Sequence, residues 1–423
     1  MSHHYATKAL GRAWIPSPTG SPRILSRGRF DAARPRQTAV GQDPWFQDLR
    51  ILRGRLIERL GVLLALFICA AYLVCHHDQF VEPATQIWTQ SLHRLRLGGS
   101  LLPSWSRVDW SSYAYVSYAT SADHLCNSVM LAESLHRLGA RPDTLILYAT
   151  DLTPDTQANA STARLLQQAT QMYGARVQPV EMLNSPSSKA DTMWSQGFTK
   201  LLAFNQTRYK KVLSLDSDAT LLQPMDELFL LPAGSKVAMP RAYWLEDKLC
   251  AAVMLASPSE FEFGRIQARL RESQPGEYDM EIINALYGDS CLVFPHKPYL
   301  LLTGELRSKS HGAYLGSKEE TWDVDSVMKQ AKYVHFSDFP LPKPWVGAME
   351  AMKSELMPSC TTHPGKEAGE LDCADRNAWL WLYKEFRDRR KRVCGPEFAD
   401  FERVEQYLAT LPPMAKGLAE SSG

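Results

Sequence analysis

Apolar positions recur along the chain in two ways: as short uninterrupted runs, and at helical spacing in the stretches between them. The run Tyr113–Ala119 predicts a strand, and the pattern from about Ala122 to Leu138 predicts a helix with Ser121 as its N-cap and Gly139 as its stop. A strand at Thr144–Thr150 and a helix from Thr162 to Tyr173, stopped by Gly174, come next. A strand at Ala175–Met182, a helix from Ser195 to Gln206 and a strand at Val212–Leu215 follow. That order, β-α-β-α-β-α-β, predicts an α/β fold with a parallel sheet and helices on both faces. Downstream the alternation loosens. Strands are expected at Val237–Pro240, Cys250–Ser257, Cys291–Phe294 and leading into His335, with helices at Pro258–Glu272 and Asp279–Tyr287. The spacing around Trp379–Arg392 predicts an amphipathic helix docked on the domain.

The amino-terminal part has a different pattern. Residues 1–55 are rich in Pro, Arg, Ser and Gly without apolar periodicity, which predicts a disordered tail. Leu60–Cys75 is then free of charge for sixteen residues. At 1.5 Å per residue this covers about 24 Å, which suits a thin bilayer, although length alone would also fit a buried core helix. Arg50, Arg53, Arg55 and Arg59 precede it, and no Lys or Arg follows until Arg94, so the amino terminus is expected on the cytoplasmic side. The expected organisation is a cytoplasmic tail (1–55), a transmembrane signal anchor (56–75), a lumenal stem (76–110), a catalytic domain (111–412) and a flexible tail (413–423).

Charge sharpens this division. Residues 1–59 carry 11 Lys and Arg against 4 Asp and Glu, so the net charge of +1 hides a basic tail and a slightly acidic body. An acidic body gives no footing for nucleic acid, whose binding needs a basic surface. Of eight cysteines, Cys126, Cys250, Cys291, Cys360, Cys373 and Cys394 fall on the lumenal side, where disulfides persist. They allow fifteen full pairings and contain no CxxC pair. The glycosylation sequons at Asn159 and Asn205 fit the same compartment.

The chemistry concentrates after the strand at Val212–Leu215, where the chain reads Asp216-Ser217-Asp218. Ligand sites of open α/β sheets lie beyond the carboxyl ends of such strands. Two adjacent carboxylates repel unless a hard divalent cation joins them, most often Mg²⁺ or Mn²⁺ with a substrate diphosphate completing its shell. A solvated loop is the alternative, and Asp323-Val-Asp325 supplies a comparison with no strand leading into it. A second apolar strand ends on His335, followed by a Pro-rich loop with Lys343 and Trp345. No GxGxxG or Walker motif is present to hold a nucleotide in the usual ways.

Thr199-Lys200-Leu-Leu-Ala-Phe, Leu215-Asp216-Ser217-Asp218-Ala-Thr-Leu-Leu and Met225-Asp226-Glu227-Leu228-Phe229 together resemble the central block of glycosyltransferase family 8, the glycogenin-like enzymes. The start of Asp279-Met-Glu, and His335-Phe-Ser-Asp338 before Pro342-Lys343-Pro-Trp345, resemble its fungal Golgi N-acetylglucosaminyltransferases. The resemblance implies a GT-A fold, a Golgi membrane location and retaining transfer of a sugar from a UDP-sugar to a glycan acceptor, with UDP-N-acetylglucosamine as the expected donor. It makes Asp216, Asp218 and His335 the ligands of Mn²⁺ (or Mg²⁺) and Lys343 the partner of the donor diphosphate. Lys200 and Asp279 become the catalytic candidates beside the donor sugar, and Tyr118, Ala119, Thr120 and Ser121 the uridine contacts. Two features depart from the family: the loop from His335 to Lys343 is longer by two residues, and Leu249-Cys250-Ala251-Ala252 replaces an Asn-x-Gly segment. Front-face attack and double displacement through Asp279 both stay open. The alternative function is a UDP-sugar-binding or scaffolding protein that kept the fold without catalysis.

Overall fold

Strands buried on both faces need apolar side chains at nearly every position, and the central strands here meet that condition. In the computed structural model the described residues are 108–398, apart from 154–159, 187–195, 233, 246, 318, 348–349 and 363–370. The expected tail and anchor, nearly all of the stem and the sequon at Asn159 lie outside them. Among the described residues no helix is long and apolar enough to cross a membrane.

The strands are β1 (Tyr113–Ala119), β2 (Asp143–Ala149), β3 (Arg176–Val180), β4 (Lys211–Leu215), β5 (Ala219–Leu221), β6 (Val237–Pro240), β7 (Val253–Ala256), β8 (Leu292–Phe294), β9 (Leu301–Leu302) and β10 (Tyr333–His335), with a short hairpin further on. The main sheet runs β3-β2-β1-β4-β7-β6-β8. Its first four strands are parallel, as the alternation predicts. β7 then runs antiparallel to β4 and β6, so the sheet is mixed. The expected strand at Cys250–Ser257 is shorter, Val253–Ala256; before it Leu249 makes an isolated bridge to Arg241, with its backbone held by the Asn284 amide on both sides at 2.9 Å.

A smaller sheet, β5-β10-β9, sits beside the end of β4. Its antiparallel register sets His335 opposite Ala219, one residue after Asp218. That pairing joins two stretches far apart in sequence.

The longer helices are α1 (Ala122–Arg137), α2 (Ala160–Tyr173), α3 (Glu260–Arg271), α4 (Asp279–Tyr287) and α5 (Ala374–Cys394). The Ser121 hydroxyl caps α1 by accepting the His124 N–H at 3.2 Å. Gly139, at φ +70°, ends it in the left-handed conformation that glycine adopts without strain. The helix expected at Ser195–Gln206 is a 3₁₀ run, Gln196–Asn205. Residues 197–204 are all buried, and Lys200 points from this run to Asp216 and Asp279.

Helix α5 docks as expected, burying Trp379, Leu382, Phe386 and Val393 while Trp381 and Lys384 face outward. Each such apolar side chain contributes about 1.5–3 kcal/mol on burial. A disulfide between Cys126 and Cys394 ties its end to α1, and a second joins Cys360 to Cys373. Cys250 and Cys291 are left as free thiols.

Candidate active site

β4 ends at Leu215 and places Asp216 beyond the carboxyl edge of the parallel strands, where the Ala252 carbonyl accepts its N–H at 3.1 Å. The Tyr333 hydroxyl donates to its carbonyl at 2.7 Å, a support from β10 that no sequence pattern announces. Two residues on, the Asp218 carbonyl accepts the Phe336 N–H at 3.0 Å, so both aspartates are locked to strand β10 and its exit.

This arrangement gathers Asp216, Asp218 and His335, with one ligand atom from each lying within 4.8 Å of the others. His335 is 1% exposed. Its Nε2 lies 3.1 Å from Asp218 Oδ1 and 3.9 Å from Asp216 Oδ2 but is not aligned for a hydrogen bond, and its Nδ1 has no partner either. A buried imidazole with no aligned hydrogen bond at either nitrogen is costly. Two carboxylate oxygens and an imidazole nitrogen at this spacing fit Mn²⁺ or Mg²⁺, with open positions left for phosphate oxygens. The three residues expected as ligands therefore fit the ion.

Two lysines flank the triad. Lys343 Nζ lies 2.7 Å from Asp218 Oδ2 and also donates to the Phe336 carbonyl, so the longer loop still returns its ammonium to the site. Lys200, 2% exposed, sits 2.8 Å from Asp216 Oδ1 and 3.0 Å from its Oδ2, with hydrogen-bond alignment to the latter. It also donates to Asp279 Oδ2 at 2.8 Å, while Asp279 Oδ1 stays buried without a partner.

The electrostatics follow this geometry. Burial opposes the Lys200 charge, but Asp216 and Asp279 raise its pKa well above the ordinary lysine value, so the ammonium persists. Burial would also lift Asp218, yet the facing His335 and Lys343 hold it well below the usual carboxylate range. Burial pushes Asp216 up despite Lys200. The pair is thus poised for a cation.

The expected uridine contacts line the adjacent end of β1 and the start of α1. Tyr118 and Ala119 close the strand, Thr120 Oγ1 faces His124 Nδ1 at 2.9 Å, and Ser121 is occupied as the helix cap. His124, which sequence reasoning passed over, lies edge-on to Trp345 at 5.9 Å between ring centres. Burial lowers its pKa, favouring the neutral ring. Its position at the first turn of α1, after Thr120-Ser121, was the available signal. By contrast, Asp323 merely caps a short helix, its side chain accepting the Asp325 N–H at 3.2 Å. The comparison tripeptide is a solvated cap.

Fold and site together define a protein with a candidate divalent-cation centre and a cationic surround suited to a phosphate-bearing ligand. No protein-family model matches the chain. Over 295 residues, 68% of its own length and 63% of the relative's, it is 47% identical to glucose N-acetyltransferase 1 of Gibberella zeae. Over 310 residues, 69% of its length and 79% of the relative's, it is 44% identical to glucose N-acetyltransferase 1 of Aspergillus fumigatus. The chain belongs to this glucose N-acetyltransferase 1 family. It spans less than two thirds of the length of the Gibberella protein. Among solved structures, the bifunctional glycosyltransferase WbbM superposes with a TM-score of 0.43 at 13% identity, covering 74% of this chain and 53% of that one.

Proposed function

We propose that this chain is a retaining glycosyltransferase of the GT-A fold that moves N-acetylglucosamine from UDP-N-acetylglucosamine to a hydroxyl of a glycan. It would act with Mn²⁺ or Mg²⁺, on the lumenal side of the Golgi membrane, held there by residues 56–75. The observation that carries this reading is the buried His335 imidazole, with no aligned hydrogen bond at either nitrogen, facing the two aspartates at the end of β4. The relatives' printed name supplies a hexose and an N-acetyl group. Lumenal residence is supported by the disulfides Cys126–Cys394 and Cys360–Cys373.

Asp216, Asp218 and His335 would hold the cation, which when bound supplies positive charge at the diphosphate as the glycosidic bond breaks. Lys343 can turn from Asp218 to a phosphate oxygen and add an ammonium to the same departing group. Lys200, clamped between Asp216 and Asp279, orients the Asp279 carboxylate so that its free Oδ1 can accept from the donor sugar. Tyr118 to Ser121 would lie along the uridine.

The test is release of the nucleoside diphosphate by the purified full chain, UDP from UDP-N-acetylglucosamine and other UDP-sugars and GDP from a GDP-sugar, with and without Mn²⁺. The expected result is metal-dependent turnover of UDP-N-acetylglucosamine. His335→Ala and Asp218→Asn should lower it by about 100-fold or more with the fold intact. Wild-type rates in either variant, or acetyl transfer to free glucose in place of sugar transfer, would sink the reading.

A further inference from the structure

Three residues after His335 and five before Lys343, the loop that joins them carries a carboxylate that touches neither. Asp338 is 3% exposed. The Thr303 hydroxyl and the Tyr383 hydroxyl (2.8 Å) donate to its Oδ2, and Trp379 Nε1 (3.2 Å) and Arg307 Nη1 (3.3 Å) approach its Oδ1. Its carbonyl accepts from Arg307 at 3.2 Å and from the Leu341 N–H at 2.9 Å. The neighbouring Ser337 N–H donates to the Thr303 hydroxyl at 2.9 Å. At Gly304 the backbones touch, since a Cβ there would lie 2.6 Å from the Ser337 carbonyl oxygen.

A buried carboxylate is a poor way to gain stability, because its desolvation consumes most of what its partners return. What it does supply is direction. Donors from the segment after β9 and from α5 converge on one group and fix the apex of the loop in space. His335 needs no such help, because β10 pairs with β5 next to Asp218. Lys343 lies on no strand, and its approach to Asp218 depends on where the loop turns back.

We propose that Asp338 is the positioning residue that presents Lys343 to the metal triad. Through Tyr383 and Trp379, helix α5 then sets the affinity for the nucleotide diphosphate. This inference rests on the nucleotide-sugar reading above.

The experiment is calorimetric titration of UDP into the full chain with Mn²⁺ present, well below the thermal midpoint. It compares the wild type with Tyr383→Phe, Asp338→Asn, Lys343→Ala and the Asp338→Asn/Lys343→Ala double variant. The expected Kd rises about 3-fold in Tyr383→Phe and about 10-fold in Asp338→Asn. The double variant should bind no more weakly than Lys343→Ala, because a displaced ammonium cannot be lost twice. If Asp338→Asn does not fold, Tyr383→Phe with Lys343→Ala completes the same cycle. A lower thermal midpoint with unchanged Kd, or effects that add in the double variant, would reduce Asp338 to a structural residue. If the wild type itself binds no UDP, the nucleotide-sugar reading fails and this proposal falls with it.

Discussion

Replacing Lys200 with Met keeps an unbranched side chain one atom shorter and removes the ammonium with its charge and its donors. The ammonium lies 2.8 Å from Asp216 Oδ1 and 2.8 Å from Asp279 Oδ2, in a place where all three side chains are almost fully buried. Without it, Asp216 and Asp279 are left as buried carboxylates beside Asp218, and Lys343 already faces Asp218. Breaking a buried pair by deleting one partner destabilises by about 3–5 kcal/mol, far more than the pair's net worth. For a folded unit of roughly 300 residues that loss lowers the thermal midpoint by roughly 5–8 °C. The assay is thermal unfolding of the full chain at pH 7, in a metal chelator and then in excess Mn²⁺. A bound divalent cation restores positive charge beside Asp216, so Mn²⁺ should raise the midpoint of Lys200→Met more than that of the wild type. Lowering the pH towards 5 should recover part of the loss, because an uncompensated buried carboxylate has a raised pKa and gains stability by taking up a proton. A loss below about 1 kcal/mol, or equal Mn²⁺ shifts in both proteins, would refute the account of Lys200 as the charge that holds the empty site together.

Two further outcomes follow from the same structure. Burial pushes the Cys250 and Cys291 thiols up to about 12. At pH 8 only about one in 10⁴ is ionised, so iodoacetamide should label either about a thousandfold more slowly than an ordinary thiol. Peptide mass spectrometry would read this, with the rate climbing as pH rises and rapid labelling of the folded chain at pH 8 contradicting the burial. The sign for stability agrees: the neutral thiols favour the folded state below the unfolded value near 9, and that contribution is lost as pH rises towards 12. Asp323→Ala removes an exposed helix cap and should leave UDP-sugar turnover unchanged, whereas Asp216→Ala should abolish it. Equal loss in both would mean that the strand leading into Asp216 had no bearing on its role.

The contrast between those two aspartates shows what the sequence could reveal. Asp-x-Asp occurs twice, and the apolar run before Asp216 marks the copy at a buried strand end, so β4 and its carboxylates were legible from local pattern alone. By local pattern the third candidate ligand was legible only as a strand ending on His335. Its place beside Asp218 comes from the β5–β10 pairing, whose register no local pattern encodes. The disulfide between Cys126 and Cys394, 268 residues apart, was one of fifteen pairings for the same reason. Helix α5 shows a different limit. The spacing predicts the docked amphipathic helix but not that two of the arginines in Arg387-Asp-Arg-Arg-Lys-Arg392 are buried: Trp379, Leu382, Phe386, Arg389, Arg390 and Val393 form one continuous buried stripe. Helical period decided burial, and the fold supplied partners to match. Arg390 is bound by Asp123, Asn127 and the Phe398 carbonyl, and Arg389 by Ser134, Glu385 and Thr220. Thr220 lies two residues after Asp218 on β5. Helix α5 therefore reaches the candidate metal site from two directions: through Arg389 on the strand that follows the aspartates, and through Tyr383 and Trp379 on the loop that carries Lys343. The helix that the spacing predicts to dock on the domain thus also buttresses both halves of the site.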